Sequence, residues 1–229
     1  MKISVIVPVF NEYEQLPVLI SSLTQLCTSV HELIIVDGGS TDGTQAKLTE
    51  AGFKPLVSAY GRAKQMNFGA MAATGDLLWF IHADTQFVAS IDNYVNVLGN
   101  AKKSWGRFNI ILSGENNIYR WVEWFINMRS ALTGIATGDQ GIFIQRKLFY
   151  SIGQYDDIPI MEDVNFCKKL KKVLPPEIVT RPLLMTSSRR WEECGVFSTI
   201  ILMWKMRLLY FLGVSAEKLV RMYSRQNNQ

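Results

Sequence analysis

Cysteine and histidine are scarce in this chain of 229 residues, which contains three cysteines and two histidines. The cysteines, Cys27, Cys167 and Cys194, are scattered and show no C-x-x-C spacing. The histidines, His31 and His82, lie far apart in the sequence. This pattern excludes a disulfide framework and a zinc site of ordinary spacing, and it favours a reducing, cytoplasmic compartment. The sequence also offers no Ser-His-Asp or Cys-His arrangement for nucleophilic catalysis.

Long apolar runs are scarce as well. The N-terminal run is interrupted early and lacks the length and the small-residue cleavage site of a signal peptide, so we expect it to be a first strand. Residues 196–214 approach the length of a membrane span, but Lys205 and Arg207 lie in the middle. Central charges cost about 2.5–3.5 kcal/mol each on insertion, which disfavours spanning. We therefore expect a helix that either lies on the inner face of a membrane or packs on the core.

The excess of one sign of charge is small, with 24 basic and 20 acidic residues and a net charge of +4. The positive excess lies beyond residue 181. A basic end suits an anionic membrane surface or a diphosphate ligand, although solvated helix faces commonly carry such charges. We expect no nucleic-acid partner. Within this end, Arg190 beside Trp191 could cover a diphosphate or an acceptor.

Strand-like and helix-like patterns alternate along the chain, without internal repeats, low-complexity tracts or linkers. The predicted strands are 3–9, 33–36, 55–58, 77–81, 105–112 and 141–144, and the predicted helices are 14–26, 44–51, 63–73, 118–132, 163–173 and 196–214. This succession predicts an α/β fold in which helices flank a mixed, mostly parallel sheet. We expect one domain, 1–229, and disorder only in the tail 226–229.

Within this single domain we expect three parts. Residues 1–86 would form a nucleotide-binding half, because regular strand-helix alternation is confined to them. Residues 87–191 would form an acceptor and catalytic half. Residues 192–225 would form C-terminal helices that are both apolar and basic.

Polar loops follow the first two predicted strands, at the edge where open α/β sheets bind ligands. The first loop is Phe10-Asn11-Glu12, and the second runs through residues 37–43 with the sequence D-G-G-S-T-D-G. Glycines there let a ligand approach the backbone, and an aspartate is well placed to read a base or a ribose. The candidate nucleotide contacts in these two segments are Pro8, Phe10, Asn11, Glu12, Asp37 and Gly39.

Acidic residues follow the fourth predicted strand and open a later helix. Asp84 could hold a divalent cation, because Mg²⁺ binds few protein oxygens together with diphosphate oxygens; an Asx turn or helix cap is the alternative. His82 would be structural or contact the ribose. Glu162 and Asp163 precede a basic helix, where capping and the helix dipole also favour acids. The residues alone leave both alternatives open.

Two further segments carry candidate ligand contacts. Residues 61–69 open a helix, and Arg62 or Lys64 near its start could bind a diphosphate; ordinary helix-start residues are the alternative. Gln65 in the same segment is a candidate contact to the nucleotide sugar. The loop 137–141 contains Asp139, a candidate contact to sugar hydroxyls. A plain connecting turn is the competing interpretation of that loop.

Together these motifs resemble, in order, those of the family 2 glycosyltransferases of GT-A fold, and in particular a small bacterial-type subgroup. The resemblance covers about residues 3–191. Residues 36–43 resemble the family's D-D-G-S-T-D loop, 82–84 its D-x-D motif, 149–170 its R-x-x-F, G-x-F-D-E and E-D-x-x-L pattern, and 187–191 its Q-x-x-R-W signature. The positions at which the chain differs from these motifs include Gly38, His82 and Ser187.

The resemblance implies transfer of a sugar, with inversion, from a nucleoside-diphosphate sugar to an acceptor hydroxyl. UDP-sugars are the favoured donors. Asp163 would be the catalytic base, supported by Glu162, and Asp84 would bind Mg²⁺ or Mn²⁺. Arg62 and Arg190 would stabilise the diphosphate. The acceptor and the oligomeric state are left open; a lipid-linked acceptor and peripheral membrane contact are options.

Two other classes of function remain in consideration. A nucleotidyltransferase could use a similar sheet and acidic metal site, but it typically has a glycine-rich basic phosphate loop near its N-terminus, and the first loop here has no glycine. A non-catalytic nucleotide- or lipid-binding module is the other class. The intact set of Asp37, Asp84 and Asp163 argues against such a module.

Overall fold

The computed structural model describes residues 1–226, and residues 227–229 of the predicted disordered tail lie outside that range. The strands are β1 (Ile3–Val9), β2 (Glu32–Asp37), β3 (Leu56–Val57), β4 (Leu77–Phe80), β5 (Gln86–Phe87), β6 (Trp105–Leu112), β7 (Phe143–Gln145) and β8 (Glu177–Thr186). The helices are α1 (Leu16–Cys27), α2 (Thr44–Glu50), α3 (Arg62–Ala72), α4 (Ile91–Gly99), α5 (Ile118–Thr133), α6 (Arg146–Ser151), α7 (Glu162–Leu170), α8 (Arg189–Cys194), α9 (Val196–Phe211) and α10 (Ala216–Gln226). Short 3-10 helices span Tyr13–Gln15 and Gly138–Gln140.

The strands form one mixed sheet of eight, in the order β3-β2-β1-β4-β7-β6-β8-β5. The pairs β1–β2, β1–β4, β2–β3 and β6–β8 are parallel. Strand β7 is antiparallel to both of its neighbours, and β5 is antiparallel to β8. This confirms the predicted mixed, mostly parallel α/β sheet. Because β7 joins β4 to β6, the sheet is continuous across the two predicted halves, whose separate roles stay a prediction.

The core lies on both faces of the sheet. Every residue of β1 is buried, which explains why that strand is a continuous apolar run. Val5 and Val7 pack on the face that α1 and α4 cover, and Ile6 packs on the face covered by α3, α6 and α7. Each buried side chain of this size contributes about 1.5–3 kcal/mol relative to its exposed state. The central strands therefore form a rigid base for the loops at their carboxyl ends.

The second half of the chain differs most from the predicted elements, because β5, β8, α4, α6 and α8 were not predicted, whereas α10 lies in the segment predicted as C-terminal helices. The sequence of β8 contains Arg181 and Pro182, so it offers neither a continuous apolar run nor regular alternation. Its pairing with β6 shifts register between Phe108 and Ile110. Helix α7 ends at Leu170 rather than at residue 173. Pairing with neighbouring strands, rather than a local sequence pattern, determines the conformation of β5 and β8.

The predicted helix 196–214 is observed as α9, which ends at Phe211. Gly213 follows with a positive φ of 86°, a conformation that terminates helices. One side of α9 buries Leu202 and Met206 with Leu219 of α10, whereas its other side exposes large apolar side chains. Within residues 1–226, no helix has the length and apolar content needed to cross a membrane. Contact of the exposed side with a membrane stays a prediction.

Candidate active site

The loops after β1 and β2 form one hydrogen-bonded unit. Asp37 is buried at the end of β2, where its carboxylate accepts hydrogen bonds from the backbone N–H groups of Gly39 (3.1 Å) and Ser40 (3.0 Å) and from the Ser40 hydroxyl. The Asn11 N–H donates to Ser40 Oγ (2.9 Å), and Asn11 Oδ1 accepts from the Thr41 N–H (2.9 Å). Asp37 thus shapes the loop, and its predicted contact to a base or ribose stays a prediction.

Gln65 lies beneath this loop and not in an open cleft. Its side chain is 3% exposed, and its Nε2 donates to the carbonyls of Val9 (2.7 Å) and Val36 (2.9 Å). A Cβ built on Gly38 would approach the Gln65 amide to 3.0 Å, so glycine suits that position. The structure therefore corrects the prediction that Gln65 contacts a ligand: its amide ties β1 to β2. Pro8 is likewise buried within β1.

The other candidates of the first loop are accessible. The ring of Phe10 packs edge-on against exposed Tyr60, with centroids 4.5 Å apart. Asn11 and Glu12 line a cavity of about 280 Å³ together with Arg189. Burial raises the pKa of Glu12, and the negative charge of Asp84 raises it further. These groups form a shallow, polar surface at the carboxyl end of β1.

A second cavity, the central cavity, has a volume of about 560 Å³. Its polar lining brings together the predicted residues Arg62, His82, Asp84, Asp139, Asp163 and Arg190. These side chains come from segments up to 128 positions apart, and the sheet order brings them to one edge. The cavity therefore unites most of the predicted catalytic, metal and sugar-contacting residues.

Asp84 lies in the loop that follows Phe80, the last residue of β4, and it lines this cavity. Its Oδ2 accepts a hydrogen bond from the Thr186 hydroxyl (3.2 Å). Among residues 1–226, no group of three or more His, Cys, Asp or Glu side chains could hold a metal ion. A cation here would take one or two carboxylates and substrate phosphate oxygens, which is the usual coordination of Mg²⁺ beside a diphosphate. Asp84 fits that arrangement, since it lines the central cavity together with Arg62 and Arg190.

Asp163 lies in the first turn of α7 and ties that helix to the loop 137–141. Its Oδ2 accepts a hydrogen bond from the Gly138 N–H at 2.9 Å, and its Oδ1 accepts from the Val164 N–H at 2.6 Å. The residue that precedes the helix is Met161, with a positive φ of 67°. Asp163 is therefore not the N-cap residue of α7, and its carboxylate borders the central cavity.

Glu162 is the most strongly shifted carboxyl group of the site. It is 4% exposed, and burial together with the charge of Asp163 raises its pKa to about 7. Arg62 opposes the shift, because its Nη1 lies 3.4 Å from Glu162 Oε1. The predicted diphosphate ligand Arg62 is thus ion-paired to Glu162 while it also lines the cavity.

The loop 137–141 holds two further unusual groups. Burial raises the pKa of Asp139, whose Oδ1 has no hydrogen-bond partner within residues 1–226. The ring of His82 packs on Gly138 so closely that an added Cβ would lie 2.1 Å from its Nε2. Burial and the charge of Arg62 hold the pKa of His82 well below its ordinary value. His82 is therefore neutral, and Gly138 is required for its position.

Residues near the C-terminus complete the cavity. The guanidinium of Arg190 lies 4.3 Å from the ring centroid of Tyr223, and its Nε and Nη2 are buried without a partner in the described part of the chain. Trp191 is 9% exposed and packs with Leu112 and Tyr119. Arg190 is consequently available to a ligand, whereas Trp191 mainly supports the wall.

The sequence did not predict two arginines and an aromatic wall that also line the central cavity. The arginines are Arg129 on α5 and Arg207 on α9. The aromatic wall consists of Trp121, Trp124 and Phe125 of α5 and Phe197 and Trp204 of α9, with Ile200 and Met203 of α9 between them in sequence. Arg207 was visible only as a charge inside an apolar stretch. The packing of α5 beside α9 is not encoded in either local pattern. The sequence therefore held no signal that these residues meet.

Comparison with known proteins gives a consistent assignment. Residues 4–90 match the family model described as Glycosyl transferase family 2. The undecaprenyl-phosphate 4-deoxy-4-formamido-L-arabinose transferase of Enterobacter sp. (strain 638) is 29% identical over 171 residues, which cover 63% of this chain and 48% of that protein. The chain thus spans about half the length of this curated relative.

Solved structures share the fold. The TarS protein of S. aureus (residues 1–349) in complex with UDP superposes with a TM-score of 0.62 at 17% identity, over 82% of this chain and 60% of that one. Glucosyl-3-phosphoglycerate synthase of Mycobacterium tuberculosis, with Mn²⁺, UDP and glucosyl-3-phosphoglycerate, gives 0.63 at 19% identity over 93% and 80%. A Pyrobaculum calidifontis mannosyltransferase with GDP-Man and Mn²⁺ gives 0.58 at 18% over 81% and 56%. The fold is that of GT-A proteins.

Proposed function

We propose that this chain is a family 2 glycosyltransferase of GT-A fold, and that it transfers a sugar, with inversion, from a nucleoside-diphosphate sugar to an acceptor hydroxyl. One observation carries the proposal. Asp84 and Asp163, with Arg62 and Arg190 beside them, border one cavity at the carboxyl edge of the sheet. That edge is where open α/β sheets bind nucleotides.

The donor would bind across the loops that follow β1 and β2. Phe10, Asn11, Glu12 and Gly39 offer an accessible surface for the nucleoside, and Asp37 fixes its shape. We favour UDP-sugars because the TarS and glucosyl-3-phosphoglycerate synthase structures contain UDP, although the mannosyltransferase contains GDP-Man. The glucosyl-3-phosphoglycerate synthase and mannosyltransferase structures contain Mn²⁺, which supports a divalent cation.

Charge on the leaving diphosphate would be neutralised at the Asp84 side of the cavity. When bound, Mg²⁺ or Mn²⁺ supplies Lewis-acid stabilisation of the leaving group, with Asp84 as its protein ligand. Arg190 has unpaired N–H groups there, so it can donate to the same oxygens. Such contacts accelerate transfer only to the extent that they strengthen in the transition state.

Asp163 would act as the base. As the acceptor oxygen attacks the anomeric carbon, its proton passes to the Asp163 carboxylate, and the bond from that carbon to the diphosphate oxygen breaks. The Gly138 N–H holds the Asp163 carboxylate at 2.9 Å. This orients the base toward the cavity, and a correctly oriented base contributes about 10²–10⁴-fold. Glu162 supports it from the buried side.

The acceptor is proposed to be lipid-linked, and the protein to work on the cytoplasmic side at the membrane surface. The Enterobacter relative bears the name of a transferase that uses undecaprenyl phosphate, a membrane lipid. The aromatic wall of α5 and α9 gives the central cavity an apolar side suited to such an acceptor. We propose no role for nucleic acid.

The variant Asp163→Asn tests this function. It should bind the donor as the wild type does, yet lose transfer by about 10²–10⁴-fold, because an amide cannot accept the proton. The matched control is Asp92→Asn, at an exposed position in the first turn of α4, which should keep full transfer. Donor binding is measured by thermal shift with UDP- and GDP-sugars and Mn²⁺.

Three outcomes would contradict the proposal. Near wild-type turnover in Asp163→Asn would mean that the base lies elsewhere. If the protein binds donors but neither hydrolyses them nor transfers the sugar to any acceptor in a lipid extract, the non-catalytic module would be favoured. Formation of a nucleotide bond with release of pyrophosphate would instead favour a nucleotidyltransferase.

A further inference from the structure

Two large cavities meet at a pair of arginines. The central cavity and an outer cavity of about 840 Å³ are both lined by Arg129, Arg207, Phe125 and Trp204. We call these four residues the arginine groove. Phe125 and Trp204 pack with their ring centroids 5.5 Å apart, so the groove joins α5 to α9. It leads from the base Asp163 toward the outer surface of these two helices.

The guanidinium of Arg129 lacks most of the partners that a buried charge normally has. Arg129 donates one hydrogen bond, from Nη1 to the Ile135 carbonyl (3.2 Å), while its Nε and Nη2 are buried without a partner in residues 1–226. In the same range, neither Arg129 nor Arg207 forms a side-chain ion pair. Unpaired buried donors and charges are strongly unfavourable, so a site that retains them is typically completed by an anion.

Electrostatics support the same interpretation. Burial, and after it the charge of Arg207, lowers the pKa of Arg129 to about 10. Burial also lowers the pKa of Arg207. The nearest acids, Asp139 and Asp163, oppose both shifts without hydrogen-bonding to either arginine. Two desolvated cations held beside each other form a site that attracts a multiply charged anion.

Beyond the arginines the surface is apolar and then basic. Trp121, Phe197 and Phe211 are 73%, 73% and 77% exposed, which is unusual for large apolar side chains grouped on two adjacent helices. The outer cavity is bordered by lysines at the end of α7, including Lys168 and Lys171. An apolar surface with a cationic rim complements an amphiphile or lipid of negative charge.

We propose that Arg129 and Arg207 bind the phosphate of an acceptor that is a phosphate monoester of a long apolar chain, and that the chain lies along the aromatic side chains of α5 and α9. Arginine presents a planar fork that matches phosphate oxygens. The apolar chain would cover the exposed rings. This inference rests on the proposed function, because the phosphate site adjoins Asp163. The acceptor hydroxyl would then be the P–OH group of the phosphate monoester: its oxygen forms the bond to the anomeric carbon, its proton passes to Asp163, and the nucleoside diphosphate leaves.

The test measures binding of three probes to the full chain: farnesyl phosphate, farnesol and inorganic phosphate. Quenching of tryptophan fluorescence reports binding, since Trp124 and Trp204 line the cavity. The wild type should bind farnesyl phosphate more tightly than either of the other probes. Arg207→Gln should weaken farnesyl phosphate binding by about ten- to a hundredfold and leave farnesol binding unchanged, because only the charged hydrogen bonds are lost.

Further variants guard against a folding defect. Arg207→Lys keeps the charge without the fork and should give an intermediate affinity, and Arg129→Gln should behave like Arg207→Gln if it melts as a folded protein. The matched control is Arg181→Gln, at an exposed position on β8, which should bind all probes as the wild type does. Melting curves of every variant establish that binding is compared between folded proteins.

Binding of UDP with Mn²⁺ is measured in parallel, because it separates this inference from the proposed function. If the protein binds UDP but binds farnesyl phosphate and farnesol with equal affinity, this inference is overturned while the proposed function is not. Equal affinity for farnesyl phosphate and inorganic phosphate would overturn it too, since the chain would add nothing. Unchanged farnesyl phosphate binding in Arg207→Gln would have the same consequence. Absence of UDP binding and transfer would count against the proposed function instead.

Discussion

The loops after β1 and β2 and the groove between α5 and α9 treat their polar groups in opposite ways. In the loops, the side chains of Asp37 and Asn11 accept hydrogen bonds from neighbouring backbone N–H groups. In the groove, Arg129 keeps buried N–H groups without a partner in the described chain. Internally satisfied groups stabilise a fixed shape, whereas unsatisfied ones lower stability until a ligand arrives. The comparison suggests a preformed donor surface and an acceptor side completed by its substrate.

The largest effect is expected from Asp84→Ala, which tests the region where the proposed donor surface meets the central cavity. Loss of the carboxylate should abolish the Mn²⁺-dependent part of donor binding, because few other protein oxygens are available there. In the wild type, a donor at 100 times its Kd raises stability by about 2.7 kcal/mol, and this increment should disappear. Thermal shift with UDP and Mn²⁺ measures it. Asp92→Asn serves again as control, and unchanged affinity in Asp84→Ala would refute the metal assignment.

An effect of similar size is expected from Gln65→Ala. It removes two hydrogen bonds to buried carbonyls of β1 and β2 and leaves a cavity under the loop, so we expect a loss of about 2–4 kcal/mol in the free energy of unfolding. Urea unfolding measures it. Gln45→Ala, at an exposed helical position, should change stability little. A similarly small change in Gln65→Ala would show that the donor loops are not fixed from below.

These two predictions also indicate what sequence can reveal. The central strands and the D-G-G-S-T-D-G loop were predictable because each is a local pattern: a buried apolar run, then a turn whose side chains bond to adjacent backbone. Gln65 was misassigned, since its partners are strand carbonyls 29 and 56 positions away. Strand β8 was not predicted because Arg181 and Pro182 interrupt its pattern. The pairing of Arg129 with Arg207 depends on packing between helices that no local periodicity encodes.

The next prediction concerns pH and Glu162, the buried acid beside the proposed base Asp163. The pKa of Glu162 is raised in the folded state to about 7. Between its unfolded value and about 7 the native state therefore holds more protons than the unfolded state, and stability falls as pH rises through that window. Glu162→Gln has no charge to bury, so its stability relative to the wild type should grow by about 1–3 kcal/mol from about pH 5 to about pH 8.

Urea unfolding of both proteins at the two pH values measures this difference. Glu115→Gln, at an exposed loop position, is the control and should follow the wild type at both values. If the difference between Glu162→Gln and wild type is the same at both pH values, Glu162 is ionised throughout, and Arg62 alone neutralises it.

The smallest effect is expected at the outer face of the groove. The exposed apolar residues of α9 should bind anionic vesicles, and binding should weaken with added salt because the lysine and arginine charges around them are screened. Phe197→Ser should weaken vesicle binding by roughly tenfold, the effect of removing one ring that inserts shallowly. Val57→Ser, an exposed apolar position on the opposite edge strand β3, should not weaken it. Vesicle flotation at low and high salt measures both variants. A wild-type protein that stays unbound at low salt would mean that these side chains serve the acceptor or another surface, and the acceptor side would then be completed from solution rather than from a bilayer.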